Sequence, residues 1–268
     1  MDPIRYTIRP ARPKAHIFEV SVTVTRPDPG GQRFLMPVWI PGSYLIREFA
    51  RNVVAIRAES AGKAIECTKI DKATWQCAPC AGPITVTCEI YAWDLSVRGA
   101  HLDETHGFFN GTGVFLLPLG LENVPCEVDI LAPIGERFDG WKVATALPRA
   151  GAPQLGFGRY RAANYDELID HPVEMGTFEH VTFEANGVPH HVALTGRTRA
   201  DGDRLARDLK RICEYQAALF EPATQKAPVD EYWFLVTAVG EGYGGLEHRA
   251  APRCFARATS CRSPTSRR

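Results

Sequence analysis

The chain has 268 residues, enough for one large domain or two modest ones. Hydrophobic residues make up 45% and charged residues 23%, the balance of an ordinary globular protein. The 31 basic and 31 acidic residues cancel only because the last 20 residues hold six arginines and no acid, so residues 1–248 are mildly acidic and nothing in them suggests a nucleic-acid surface.

No apolar run approaches the roughly 18 residues of a membrane-spanning helix. The charged, proline-broken start MDPIRYTIRPARPK is not a secretory signal. A cytoplasmic protein without membrane or nucleic-acid partners is expected, and its eight scattered cysteines are expected to be free thiols.

From Ile4 to about Tyr165 the pattern is mainly β. YTIRP, HIFEVSVTVT, QRFLMPVWI, NVVAIRAES, ITVTCEIYAW, GVFLLPL and CEVDILAP are short runs rich in Val, Ile, Thr and aromatics. RPDPGG, SAGK and CAGP separate them. Phe18, Val20, Val22 and Val24 alternate with Glu19, Ser21 and Thr23, the signature of a half-buried strand. Many short strands with turn signals between them predict a sandwich over residues 1–170.

A second region, residues 171–248, opens with a hairpin. FEHVTFEANGVPHHVALTG is two strands joined at Asn186-Gly187, a pair that tolerates positive φ at both turn positions. A helix is predicted over 203–220, with Leu205, Leu209, Ile212, Cys213, Gln216, Leu219 and Phe220 on one stripe and Asp201 or Asp203 as cap. YWFLVTAV, residues 232–239, reads as a strand buried on both faces. After Glu247-His248 the chain becomes arginine-rich, and 249–268 reads as a basic tail that does not fold.

Several segments offer chemistry. Cys77-Ala-Pro-Cys80 lies in a β-rich stretch rather than at a helix start, so it reads as chance thiols at a turn. No His-Glu-x-x-His occurs. His101 and His106 sit in a glycine-rich segment that reads as a loop, and His190-His191 are adjacent and point to opposite faces of a strand, so no complete metal site is expected. WIPGSYLIREFARN (39–52) reads as a surface helix or bend. YDELIDHPVEMG (165–176) gathers Asp166, Glu167, Asp170 and Glu174, either as a solvated connector or as an acidic wall for a cationic group.

PVWIPGSYLIREFARN, YDELIDHPVEMGTF and YGGLEHR together resemble the N-terminal half of the glycyl aminopeptidase family, zinc metallopeptidases that usually carry a PDZ domain. The resemblance runs from about Tyr6 to Arg249. It implies an N-terminal β domain followed by the truncated start of a thermolysin-like α+β catalytic domain. It also implies a catalytic zinc on a His-Glu-x-x-His helix and a downstream Glu, all absent from this chain. No cofactor and no peptidase activity are therefore expected of the chain alone.

Gly244-Gly245-Leu246-Glu247-His248 resembles the Gly-x-Met-Glu-Asn strand of the related aminopeptidase N family. That resemblance implies backbone pairing with a peptide substrate and a grip by Glu247 on its free amine. A change of reading frame after this motif would account for the tail. A non-catalytic β-sandwich binding module is the alternative reading.

Overall fold

The computed structural model describes residues 2–258. The first part contains β1 (Ile4–Arg12), β2 (Ile17–Val24), β3 (Arg33–Leu35), β4 (Val53–Ser60), β5 (Lys63–Ile65), β6 (Cys67–Lys69), β7 (Thr74–Cys77) and β8 (Ile84–Tyr91). It continues with β9 (His101–Leu102), β10 (His106–Phe109), β11 (Leu117–Pro118), β12 (Cys126–Ile130), β13 (Lys142–Ala144), β14 (Gly158–Ala162), α1 (Tyr165–Ile169) and β15 (Val173–Gly176). The second part contains β16 (Glu179–Ala185), β17 (Val188–Thr195), α2 (Gly202–Phe220), β18 (Tyr232–Val239), β19 (Gly244–Leu246) and β20 (Arg253–Arg257).

The expected mainly-β sandwich is present. A seven-stranded sheet runs β14-β12-β1-β2-β8-β4-β5, and two four-stranded sheets run β13-β15-β10-β9 and β11-β3-β7-β6. Their inner faces share one core that includes Ile8, Phe18, Val20, Ile90, Phe34, Trp75, Phe109 and Val173. On β2 the buried face is the alternating set Phe18, Val20, Val22 and Val24. A five-stranded sheet, β16-β17-β18-β20-β19, holds the second part.

The strand period of two explains how one thin sheet serves two cores. On β10, Phe109 enters the sandwich core while its neighbour Phe108 enters a second core with Ala193, Trp233, Leu235 and Ala251. On β15, Val173 and Met175 face the sandwich, and Glu174 between them faces the other way. Sheet β13-β15-β10-β9 is thus the middle layer. Because β15 pairs with β10 and β13, the first part extends to Gly176 rather than ending at 170.

Local chemistry in the second part follows the sequence at two points. Asn186 and Gly187 have φ of 49° and 76° and close the β16–β17 hairpin. Asp201 caps α2, its side chain accepting from the Arg204 amide. Strand β18 departs from expectation: Trp233, Leu235 and Thr237 are buried against the second core, while Tyr232, Phe234 and Val236 are only half-buried, so one face is closed and not two.

The larger correction concerns the arginine-rich tail. Residues 253–257 are β20, inserted between β18 (parallel) and β19 (antiparallel) in the interior of the sheet. Arg253 is fully buried. The expectation of a non-folding segment beginning at 249 fails because Arg253 and Phe255 alternate with Cys254 and Ala256 at strand period, and a buried carboxylate receives Arg253. Residues 259–268, including Cys261, lie outside the described residues.

Helix α2 packs on β16 through one edge of its apolar stripe, and none of its 19 residues is fully buried. Ile212, Tyr215, Leu219 and Phe220 are exposed on its other side. Replacing Ile212 and Leu219 by Glu should therefore lower the binding of a hydrophobic dye and shift stability by no more than about 0.5 kcal/mol, as read from dye fluorescence and urea unfolding.

Candidate functional site

Three segments, 37–52, 165–178 and 243–249, converge on the end of the five-stranded sheet. Strand β19 is its edge, bonded on one side to β20 with Gly245 opposite Cys254 and Leu246 opposite Arg253. Gly245 and Glu247 are exposed, whereas Leu246 and His248 are buried. The Gly244–His248 stretch thus turns one edge and one carboxylate outward and anchors itself through alternate residues.

The anchors come from the other two segments. The Pro41-Gly42 turn lies directly against Leu246: a Cβ on Gly42 would sit 2.7 Å from Leu246 Cδ1, and Gly42 has φ of +80°. The segment 39–48 is a bend, and Phe49–Asn52 form a single 3₁₀ turn. The bend is tied internally, with Arg47 Nε donating to Ser43 Oγ at 2.9 Å and Trp39 Nε1 donating to the Ser43 carbonyl at 2.6 Å. Ile40 is buried in the sandwich core, whereas the tip of the bend turns outward, Tyr44 almost fully exposed and Leu45 and Ile46 more than half exposed. Tyr243, just before the edge strand, is exposed as well.

From YDELIDHPVEMG, Asp170 caps the C-terminus of α1 and accepts from His248 Nδ1 at 2.9 Å and Arg249 Nε at 3.0 Å. Glu174 is fully buried and accepts from Arg253 Nη1 at 2.6 Å, from Thr195 Oγ1 at 3.0 Å, and from His106 Nδ1 at 2.9 Å. Arg253 also stacks on Phe108, 3.8 Å from the ring centroid. The acidic segment is therefore neither a solvated connector nor an open wall. Two of its four acids are consumed by cations of this same chain.

Burial acts on Glu174 to raise its carboxyl, but the Arg253 charge and the bonds from His106 and Thr195 outweigh it and hold it below the usual range. Burial pushes the Arg253 guanidinium down, opposed by Glu174. Cys77 is opposite Cys67 across β6–β7, and its hydrogen bond with Cys67, together with burial, raises its thiol. All seven described cysteines are free. His190 and His191 do face opposite ways, His190 stacked on Phe183 and His191 on Trp233.

The sequence reading missed Arg253, whose only signal was strand-period alternation in RCFAR, and missed that His101 and His106 come together. They lie on the β9–β10 hairpin with ring centroids 4.8 Å apart.

Residues 5–177 match the family described as the peptidase M61 N-terminal domain. The chain is similar to the crystal structure of an aminopeptidase N family protein from Idiomarina loihiensis, with 41% identity, a TM-score of 0.93 and a match that covers 99% of this chain and 44% of that one. It therefore spans less than half the length of that relative. It shares its fold with an M1 zinc metallopeptidase from Deinococcus radiodurans (12% identity, TM-score 0.53, 97% of this chain and 61% of that one). The same holds for yeast LTA4 hydrolase (10% identity, TM-score 0.50, 97% and 41%). No curated protein matches the chain.

Two outcomes follow. Gly42→Ala should cost about 1–2 kcal/mol from its positive φ alone, measured by urea unfolding. Glu174→Gln should cost about 3–5 kcal/mol at pH 7, because it leaves Arg253 buried without its counter-charge. Glu174 is depressed in the fold, so its contribution is complete above the unfolded carboxyl value of about 4.3 and is lost as pH falls below it; the gap between variant and wild type should narrow on acidification.

Proposed function

The chain belongs to the peptidase M61 family, and on that premise we propose that it supplies the peptide-docking half of a zinc aminopeptidase of the glycyl aminopeptidase type. The observation that carries this reading is the edge strand β19, whose outer side has no partner among the described residues. An extended peptide adds to such an edge through backbone amides and carbonyls. Gly244 and Gly245 remove side-chain bulk where it approaches. Glu247 is exposed at the end of that edge and offers a carboxylate to the peptide's ammonium group, a charge-assisted hydrogen bond.

The catalytic zinc that the family implies does not fit the residues of this chain. No His-Glu-x-x-His occurs among the 268 residues, so neither two helical histidine ligands nor the adjacent general base is supplied. The chain's own part is binding: registering a peptide backbone and holding its N-terminus. In the proposal, hydrolysis, the specificity for N-terminal glycine and any PDZ domain belong to sequence beyond this chain.

A free-standing binding module is favoured by one observation. Strand β20, from within this chain, fills the interior of the five-stranded sheet between β18 and β19. The exposed apolar face of α2 argues for the larger assembly.

Both readings share the docking edge. The test is calorimetric titration with a short peptide bearing a free N-terminus and with its acetylated counterpart. The free peptide should bind more tightly, and Glu247→Gln should remove about 1.5–3 kcal/mol of that preference, the value of a hydrogen bond to a charged group. Equal binding of the two peptides, or an unchanged preference in Glu247→Gln, would refute the assignment.

A further inference from the structure

We propose that His101, Asp103 and His106, on the β9–β10 hairpin, form a binding site for a zinc-class divalent cation. One ligand atom from each residue lies within 4.8 Å of the others. His101 Nε2 and Asp103 Oδ2 are 3.3 Å apart. Two ligands about 2.0–2.1 Å from one tetrahedral ion are separated by about that distance. Both imidazoles are over nine-tenths buried, while Asp103 is partly exposed, which leaves an entry path.

Two of the three ligands are oriented by a second group. Asp103 Oδ1 accepts from the Thr105 amide and hydroxyl, both at 2.6 Å, and from the His106 amide at 3.0 Å, so the turn fixes the carboxylate and Oδ2 meets His101 Nε2. His106 Nδ1 donates to Glu174, which is in turn bonded to Arg253, and this leaves Nε2 as the ring nitrogen for a ligand. A histidine whose second nitrogen donates to a carboxylate is the usual arrangement at a metal ligand.

His101 makes its one polar contact through Nε2, to Asp103 Oδ2; its other ring nitrogen, Nδ1, is buried with no hydrogen-bond partner. His101 stacks on Trp93 and lies tilted against His106, which holds the two imidazoles side by side. Two imidazoles and one carboxylate, with positions open for water, suit zinc or cobalt rather than calcium or magnesium, which take oxygen ligands. The spacing, His-x-Asp-x-x-His across a tight hairpin, differs from the helical His-Glu-x-x-His pattern.

The test is titration of the apo chain with Zn²⁺ by calorimetry and with Co²⁺ by visible absorption. One saturable equivalent is expected, with a cobalt d–d spectrum that lacks the thiolate charge-transfer band. His101→Gln and Asp103→Asn should each weaken binding at least tenfold, while His180→Gln leaves it unchanged. Should either variant not fold, NMR of the wild type with Co²⁺ decides: the ring resonances of His101 and His106 should shift before those of His180, His190 and His191. Absence of binding, a thiolate signature, or a folded His101→Gln variant with wild-type affinity overturns the proposal.

Discussion

The structure depends on one buried ion pair, Glu174 with Arg253. Both side chains have no exposure, and their atoms meet at 2.6 Å. Glu174 projects from the middle layer and Arg253 from an interior strand of the last sheet, so the pair ties the sandwich to everything after residue 176. His106 and Thr195 complete the acceptor side, and Phe108 covers the guanidinium. Desolvating two charges is costly, and only a partnered, hydrogen-bonded geometry offsets it. Arg253 Nε and Nη2 have no protein partner, so the offset is incomplete and the pair acts as a register device more than as a source of net stability.

That register carries the docking edge. Leu246 is opposite Arg253, so fixing Arg253 fixes β19, and with it the exposed Gly245 and Glu247. Asp170 pins the next two residues, His248 and Arg249. Gly42 closes against Leu246 from the other side. The three segments that carry the family resemblance are thus one contiguous scaffold: two of them hold the third in place. The same middle sheet presents His101, Asp103 and His106 on its β9–β10 end, where Glu174 orients an imidazole with its other oxygen.

Much of the fold was legible because local chemistry and tertiary packing agree there. The alternation in β2, the Asn-Gly turn and the Asp201 cap each specify their own geometry within a few residues. Failures occurred where a distant partner decides the outcome. Six arginines without an acid look unfoldable until Glu174, 79 residues upstream, is placed against Arg253. The acidic run 165–176 looks like an outward wall until Arg249 is paired with Asp170 at the surface and Arg253 with Glu174 in the interior. YWFLVTAV carries apolar residues on both faces, but the side toward Tyr232 and Phe234 is only half closed. Glycine spacing at 244–245 pointed to a close backbone approach, yet that the strand lies at a sheet edge follows only from the topology.

Native-state hydrogen exchange on the wild type and Glu174→Gln tests the central claim most directly, since it reads whether residues 253–257 are locked into the sheet by the ion pair. The account predicts that backbone amides of Arg253–Arg257 in the wild type exchange as slowly as those of β17 and β18. In Glu174→Gln they should open with β19 in a smaller unit, while β1, β2 and β8 remain protected. Rapid exchange of 253–257 in the wild type, at the rate of a fraying terminus, would contradict the account and restore the reading of that segment as an unfolded basic tail.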